Sequence, residues 1–228
     1  MGSGATRNAC DLAAERERVA GLFAIENEAR AGGHALIAGV DEGGRGCVAG
    51  PVYAGAVVFE GPSTLPGLDD SKALLPEVRE ALAVRIRGAA PGVAVGAATA
   101  AEIDAIGIVA ATFLAMRRAL DLLRASGRIP SLVLVDAFLI PGLDLPQRAY
   151  IRGDQRVAAI AAASIVAKVA RDARMDELER RFPVYGFGSH RGYATPEHLS
   201  ALRRHGPCPE HRLTFDRVVV RRGAAKAA

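Results

Sequence analysis

The sequence predicts an α/β domain, a mixed sheet with helices on both faces. Two apolar, β-rich runs at 36–41 and 51–59 lie close enough in the chain to open the fold as a hairpin. Helical and strand-like segments alternate after them, which is the pattern of a sheet covered by helices. With 228 residues, half of them apolar, the chain can build one real core with at most a small appendage.

Each element has a local reason. Residues 11–31 read as an amphipathic helix stopped by Gly32-Gly33. The run PVYAGAVVF opens on Pro51, a permitted strand start, and further strands are expected at 92–99 and 131–136. Pro76 sits in the first turn of a helix reaching about Arg87. A helical region spans 101–126, with a break expected near Gly107, and PGLDLP reads as a loop. The helix at 156–181 carries AAIAAASIVA, so rich in alanine that it must pack closely on something. Thr195-Pro196 supplies an N-cap and first residue for a last helix at 196–205. The tail, 223–228, reads as disordered.

Composition removes several classes. The longest uncharged apolar run, Ala105 to Met116, has 12 residues, whereas a membrane span needs roughly 20. No secretory signal is read at the N-terminus. Cys10, Cys47 and Cys208 are odd in number and lack C-x-x-C spacing, which argues against a disulfide framework and for a cytoplasmic protein. The net charge of +4 is uneven: residues 1–167 sum to −2 and residues 168–222 to +5. A basic C-terminal quarter fits a polyanion partner, although on charge alone a solvated helical surface is the plainer reading. Only three lysines stand beside 26 arginines, and Lys72 and Lys168 both fall within the motifs below.

The stretch GVDEGGRGCVAGP, 39–51, raises the functional question. Gly44, Gly46 and Ala49 match G-x-G-x-x-A, but Pro51 and a β-rich run follow where a dinucleotide fold needs a helix. Walker A and G-x-S-x-G are absent, and the five histidines lack zinc-ligand spacing. What remains is a set of acids. Asp41 and Glu42 end the first strand, Asp136 ends LVLVD, and Asp154 precedes the long helix. Strand-end carboxylates on neighbouring strands converge on one sheet edge, where they repel unless cations neutralise them. An all-oxygen set suits Mg²⁺ or Mn²⁺, and two such ions can clamp a phosphodiester in displacement. Each acid alone reads as well as a loop or N-cap residue, Asp154 above all, so on the residues alone both readings stay open. Successive strand residues face opposite ways. Asp41 and Glu42 are therefore expected to share a site only where the strand ends or kinks between them, which the glycines at 43, 44 and 46 permit.

Five blocks, GVDEGGRGCVAGPV, DDSKALL, LVLVD, GDQRVAAIAAASIVAKVARD and YGFGSHRGYATPEHLSALRRHGPCPEHR, resemble the ribonuclease HII family in order and spacing, from about Leu36 to Phe215. The resemblance implies an RNase H-like fold with a mixed five-stranded sheet and a C-terminal helical extension. It divides the chain into an N-terminal helix at 1–34, a catalytic domain at 35–185, a substrate-binding extension at 186–222 and the tail. It implies cleavage of RNA in RNA–DNA hybrids and on the 5′ side of single ribonucleotides in duplex DNA. The products would be a 3′-hydroxyl and a 5′-phosphate, made with two Mg²⁺ or Mn²⁺ ions by a monomer. By position, Asp41, Glu42, Asp136 and Asp154 would hold the ions. Gly44, Arg45 and Gly46 would sense the ribose 2′-hydroxyl. Tyr193 would pack on the sugar at the RNA–DNA junction, although without the resemblance a half-buried core tyrosine is the simpler reading. Ser71, Lys72, Ser164, Lys168 and Arg171 would contact the backbone, the last three from one helix face. A nuclease confined to long hybrids and a hybrid-binding protein without turnover are the alternatives.

Overall fold

The computed structural model describes residues 3–218 apart from 64, 70, 72 and 73, with side chains from residue 12 onward. Lys72 and the tail at 223–228 thus lie outside the described residues. Five strands form one sheet: β1 (Ile37–Gly43), β2 (Val52–Phe59), β3 (Gly92–Ala98), β4 (Leu132–Asp136) and β5 (Gln147–Tyr150), in the order β3-β2-β1-β4-β5. β1 and β3 run antiparallel to β2, and β4 runs parallel to both β1 and β5. The helices are α1 (Ser3–Leu22), α2 (Ala24–Ala31), α3 (Pro76–Ala89), α4 (Ala100–Ile106), α5 (Ile108–Ala125), α6 (Ala158–Arg181), α7 (Phe187–His190) and α8 (Pro196–His205). Among the described residues no helix is long and apolar enough to cross a membrane.

Period-2 alternation sends Ala38, Val40, Val52, Ala54, Ala56, Val133 and Val135 to one face, where α4 and α5 cover them. Ile37, Val57, Phe59, Leu132 and Leu134 take the other, under α6 with α1, α2 and α3 beside it. The alanine tract of α6 explains itself at two strand glycines. A Cβ on Gly39 would stand 2.2 Å from the Ala159 carbonyl carbon, and one on Gly55 would stand 2.2 Å from the Ala163 oxygen. Helix backbone rests directly on strand backbone there. After α6 the chain gathers Tyr185, Phe187, Leu202 and Cys208 around Met175 and Leu178, and Val48 and Ala49 from the glycine loop join this cluster.

The expected elements are present, with two differences and one expected break. The N-terminal helix is two helices, since Phe23 turns between them to pack edge-on against Phe59 at 5.4 Å between ring centres. The break at Gly107 occurs, with φ at +80°. β5 carries no sequence signal of its own, because its four residues QRAY show no apolar alternation, and parallel pairing with β4 alone makes it a strand.

Glu26 of α2 is buried, and its Oε1 accepts the Ala159 N–H at 2.8 Å, capping α6 from outside that helix. Its Oε2 has no hydrogen-bond partner, and burial pushes the carboxyl up to about 7 from 4.5. The folded state therefore holds this proton more tightly than the unfolded chain does. The resulting stability is full below pH 4.5 and lost as pH rises to about 7. Glu26→Gln keeps the cap without the charge. It should stabilise the protein at pH 8 by an amount on the order of 3 kcal/mol and flatten that window, as read by denaturant melts from pH 4 to pH 8.

Candidate active site

Parallel pairing between β1 and β4 stops at Val40 and Val135, one residue short of Asp41 and Asp136. Pairing of β1 with β2 continues through Gly43. The expected end or kink between Asp41 and Glu42 is therefore absent. The two acids do face opposite ways, and their common ground is the open β4 side, where the ladder has stopped.

Asp41 points under α6. It is 4% exposed, and its Oδ1 accepts the Glu42 N–H at 2.7 Å. Its register partner on β2 is Gly55. Burial pushes its proton affinity well up, and the charges of Glu42 and Asp136 push the same way, against hydrogen bonds from Ser164 and the Glu42 N–H. Glu42 shares the parity of Ala38 and Val40, so it turns toward α5 and lines a cavity of about 630 Å³ with Asp136, Val109, Phe113 and Met116. Burial raises its pKa first, the Arg45 guanidinium at 3.3 Å works against that, and Asp136 adds to the rise. Asp136 Oδ1 accepts the Gly153 N–H at 2.7 Å, which ties β4 to the turn Gly153–Gln155 that carries buried Asp154. A Cβ on Gly153 would meet Ile160 Cδ1 at 2.7 Å, so a larger residue in this turn would have to displace the buried Ile160 tip.

The residue after Asp136 is Ala137, held at φ +58°. Its Cβ is strained in that left-handed region. Ala137→Gly should thus raise the melting midpoint by the equivalent of about 1 kcal/mol without changing the sheet.

The glycine loop meets Tyr193. A Cβ on Gly46 would lie 4.0 Å from Tyr193 Cε1, and Gly44, at φ +92°, has Arg171 Cδ and Nε 3.0 Å from where a Cβ would be. Tyr193 is 47% exposed, not a core tyrosine, and the Arg171 guanidinium stacks 5.2 Å from its ring centre. The carboxylates, the loop and the tyrosine thus occupy connected ground.

The residues expected to touch the nucleic-acid backbone are placed differently. Ser164, Lys168 and Arg171 do share a face of α6, but that face turns inward. Arg171 is 1% exposed and donates to Cys47 Sγ at 2.9 Å and to the Arg191 carbonyl. Ser71 and Ser164 are buried with their hydroxyls 2.9 Å apart, and Ser164 also bonds Asp41. Lys168 keeps some surface, yet its Nζ bonds Asp172 at 2.6 Å. Asp172 also meets Arg79 at 3.3 Å, and Arg79 in turn holds the carbonyls of Ser71 and Leu74. Sequence reasoning missed Arg79, Asp172, Arg212 and the buried pair His198–His211. Charges and histidines used inside the fold carry no spacing signal.

Among the described residues, no three His, Cys, Asp or Glu side chains stand close enough to hold a metal ion as they are. The donor chemistry nevertheless fits a hard cation. Asp41, Glu42 and Asp136 are oxygen donors within reach of one another's charge, and burial, with the charge of Asp136 added, makes Asp41 and Glu42 bind protons more tightly.

The family model for ribonuclease HII matches residues 38–218. The chain belongs to the ribonuclease HII family. It is 50% identical over 194 residues to the ribonuclease HII of Geobacillus kaustophilus, covering 85% of this chain and 73% of that one. It is 51% identical over 181 residues to that of Bordetella pertussis, covering 79% and 89%. Among solved structures, the ribonuclease H2 of Pyrococcus horikoshii superposes with a TM-score of 0.66 at 28% identity, over 80% of this chain and 95% of that one. The ribonuclease HII solved with PCNA from Archaeoglobus fulgidus gives 0.61 at 28%, over 79% and 95%. As a member of the ribonuclease HII family, the chain is a metal-dependent endoribonuclease, and the mixed sheet with flanking helices is the fold it shares with these structures.

Proposed function

We propose that this ribonuclease HII hydrolyses RNA in RNA–DNA hybrids and cuts on the 5′ side of single ribonucleotides in duplex DNA, working as a cytoplasmic monomer. Asp41, Glu42, Asp136 and Asp154 would hold two Mg²⁺ or Mn²⁺ ions. The observation that carries the reading is the adjacency of a crowded, buried carboxylate site to a bare glycine loop lying against a half-exposed tyrosine.

When bound, such ions activate water and neutralise charge on both oxygens of an in-line displacement. The chain's own residues set the geometry. Ser164 and the Glu42 N–H aim Asp41, Arg45 restrains Glu42, and the Gly153 N–H fixes Asp136. The loop backbone at Gly44, Arg45 and Gly46 offers donors and acceptors to a 2′-hydroxyl, which is itself both. The exposed face of Tyr193 would take the next sugar and reject one bearing a 2′-hydroxyl there. Lys168, the helical residue with free surface, would meet phosphate, with Lys72 assigned the same duty by resemblance. Ser71, Ser164 and Arg171 serve instead by holding Asp41 and Tyr193 in place.

The test is a substrate panel: duplex DNA with one ribonucleotide, all-DNA duplex and continuous hybrid, with Mg²⁺, Mn²⁺ or EDTA. Metal-dependent cutting 5′ of the lone ribonucleotide is expected, with all-DNA duplex intact. Cutting of the continuous hybrid alone would keep the carboxylate site and refute the roles of the glycine loop and Tyr193. Binding without cleavage in either metal would refute the enzyme reading of the four acids.

A further inference from the structure

Arg212 is fully buried, yet each of its three nitrogens has a partner. Its Nε donates to the Gly50 carbonyl at 2.9 Å, Nη1 to Arg45 at 2.9 Å and Nη2 to Gly44 at 2.8 Å. All three acceptors belong to the glycine loop. Its first stretch, 43–46, has no side chain but that of Arg45, so there the carbonyls are its handles. A planar guanidinium fork fixes several acceptors at once, which an ammonium cannot do. Burial lowers Arg212 only to about 10, so it remains charged at neutral pH.

His211, the neighbouring residue, reaches the other half of the sensor. The Cys208 N–H donates to its Nδ1 at 2.9 Å, so its Nε2 carries the proton. That proton faces His198 Nε2 at 3.0 Å, which leaves His198 Nδ1 to donate to the Tyr193 carbonyl at 2.8 Å. The backbone reinforces the arrangement, since Arg212 N–H donates to the Val48 carbonyl and Val48 N–H to that of Gly192, both at 2.9 Å. His198, His211 and Arg212 are all buried away from any substrate.

We propose that His211 and Arg212 form a bracket that fixes the glycine loop relative to Tyr193, and that this pair of positioning residues determines how strongly the enzyme prefers a ribonucleotide flanked by DNA to continuous RNA. The inference rests on the reading of the glycine loop and Tyr193 as the sugar sensor. Both halves of the sensor hang from adjacent residues of one segment, so a slack bracket alters their separation while the carboxylates stay where the sheet puts them.

The experiment compares Arg212→Lys, His211→Asn, Asp104→Ala and Tyr193→Ala with the parent chain. His211→Asn can still accept the Cys208 N–H but has no N–H to reach His198. Asp104 is the control for general loosening. It accepts from Leu213 N and Thr214 N at 2.9 Å and from Thr214 Oγ1 at 2.8 Å, bracing the same segment without touching the loop. Melting temperatures are measured, then kcat and KM on single-ribonucleotide duplex and on continuous hybrid, below each variant's transition. Arg212→Lys and His211→Asn should each lower the junction-to-hybrid ratio of kcat/KM by about tenfold, the upper end of what one buried hydrogen bond is worth, chiefly through kcat on the junction substrate. Asp104→Ala should lower the melting temperature and leave the ratio within about twofold. An unchanged ratio in His211→Asn and in folded Arg212→Lys, with Tyr193→Ala shifted, overturns the bracket and spares the sensor. An unchanged ratio in Tyr193→Ala overturns the sensor and the bracket together. A shift in Asp104→Ala as large as that in Arg212→Lys also overturns the bracket, since any loosening of the segment would then suffice. Should Arg212→Lys fail to fold, His211→Asn decides.

Discussion

Asp136→Asn should abolish cleavage, lowering kcat on the order of a thousandfold, while binding to hybrid survives. The substitution is nearly isosteric. The asparagine oxygen can still accept the Gly153 N–H, now 2.7 Å from Asp136 Oδ1, so β4 and the turn bearing Asp154 stay joined. What disappears is one negative charge from a site where that charge raises the proton affinity of both Asp41 and Glu42. Two consequences oppose each other. In EDTA the variant should melt no lower than the parent, because a repulsion has been relieved. With Mn²⁺ the parent should gain in melting temperature and the variant should gain less, because ligand binding to the folded state stabilises it by mass action. Single-turnover cleavage, anisotropy titration with labelled hybrid and paired melts measure all three. Undiminished turnover would remove Asp136 from the mechanism. Equal metal-induced stabilisation would remove it from the metal site, whatever the activity.

The acids were legible in the sequence because strand-end carboxylates beside consecutive glycines form an unusual local pattern. What the pattern could not give was the way Asp41 and Glu42 come to share a site. That depends on the β1–β4 ladder stopping at Val40 and Val135 although both strands run on, a property of two strands nearly a hundred residues apart. Helical spacing correctly put Ser164, Lys168 and Arg171 on one face of α6. Spacing is silent on where a face looks, and this one looks at Asp41, the glycine loop and Tyr193. Arg212 is the sharper case. In the sequence it is one more charge in a basic C-terminal quarter, whereas in the fold each of its three nitrogens donates to a carbonyl of the glycine loop and it adds nothing to the surface a polyanion would meet. The alanine tract was readable as a close contact, but its partners, Gly39 and Gly55, became visible only with the register of β1 and β2.

That contact yields the largest expected loss of stability. Gly55→Ala should destabilise the protein by about 1–3 kcal/mol or more, the range for methyl groups forced into a filled core. The added Cβ would stand 2.2 Å from the Ala163 oxygen, 2.8 Å from Val166 Cγ2 and 2.9 Å from the Ala163 carbonyl carbon. Two of these three are helix backbone, which cannot swing aside as a side-chain tip can, so α6 itself has to lift. The next residue after Ala163 is Ser164, whose hydroxyl bonds Asp41, and Asp41 is the register partner of Gly55. The same displacement that costs packing therefore draws Ser164 off the central carboxylate. A melting temperature roughly 2–12 °C lower is expected, at about 2–4 °C per kcal/mol for a chain this long, and kcat should fall even at temperatures where the variant is fully folded. Gly88→Ala is the matched control. A Cβ there meets nothing within 4 Å on α3, and the exchange should stabilise by roughly 0.5–1 kcal/mol with kcat unchanged. A Gly55→Ala variant that melts with the parent would mean α6 rides higher over the sheet than its contacts with Gly39 and Gly55 imply. If it melted low but turned over normally, Ser164 would be no more than packing, and Asp41 would hold its position through the Glu42 N–H alone.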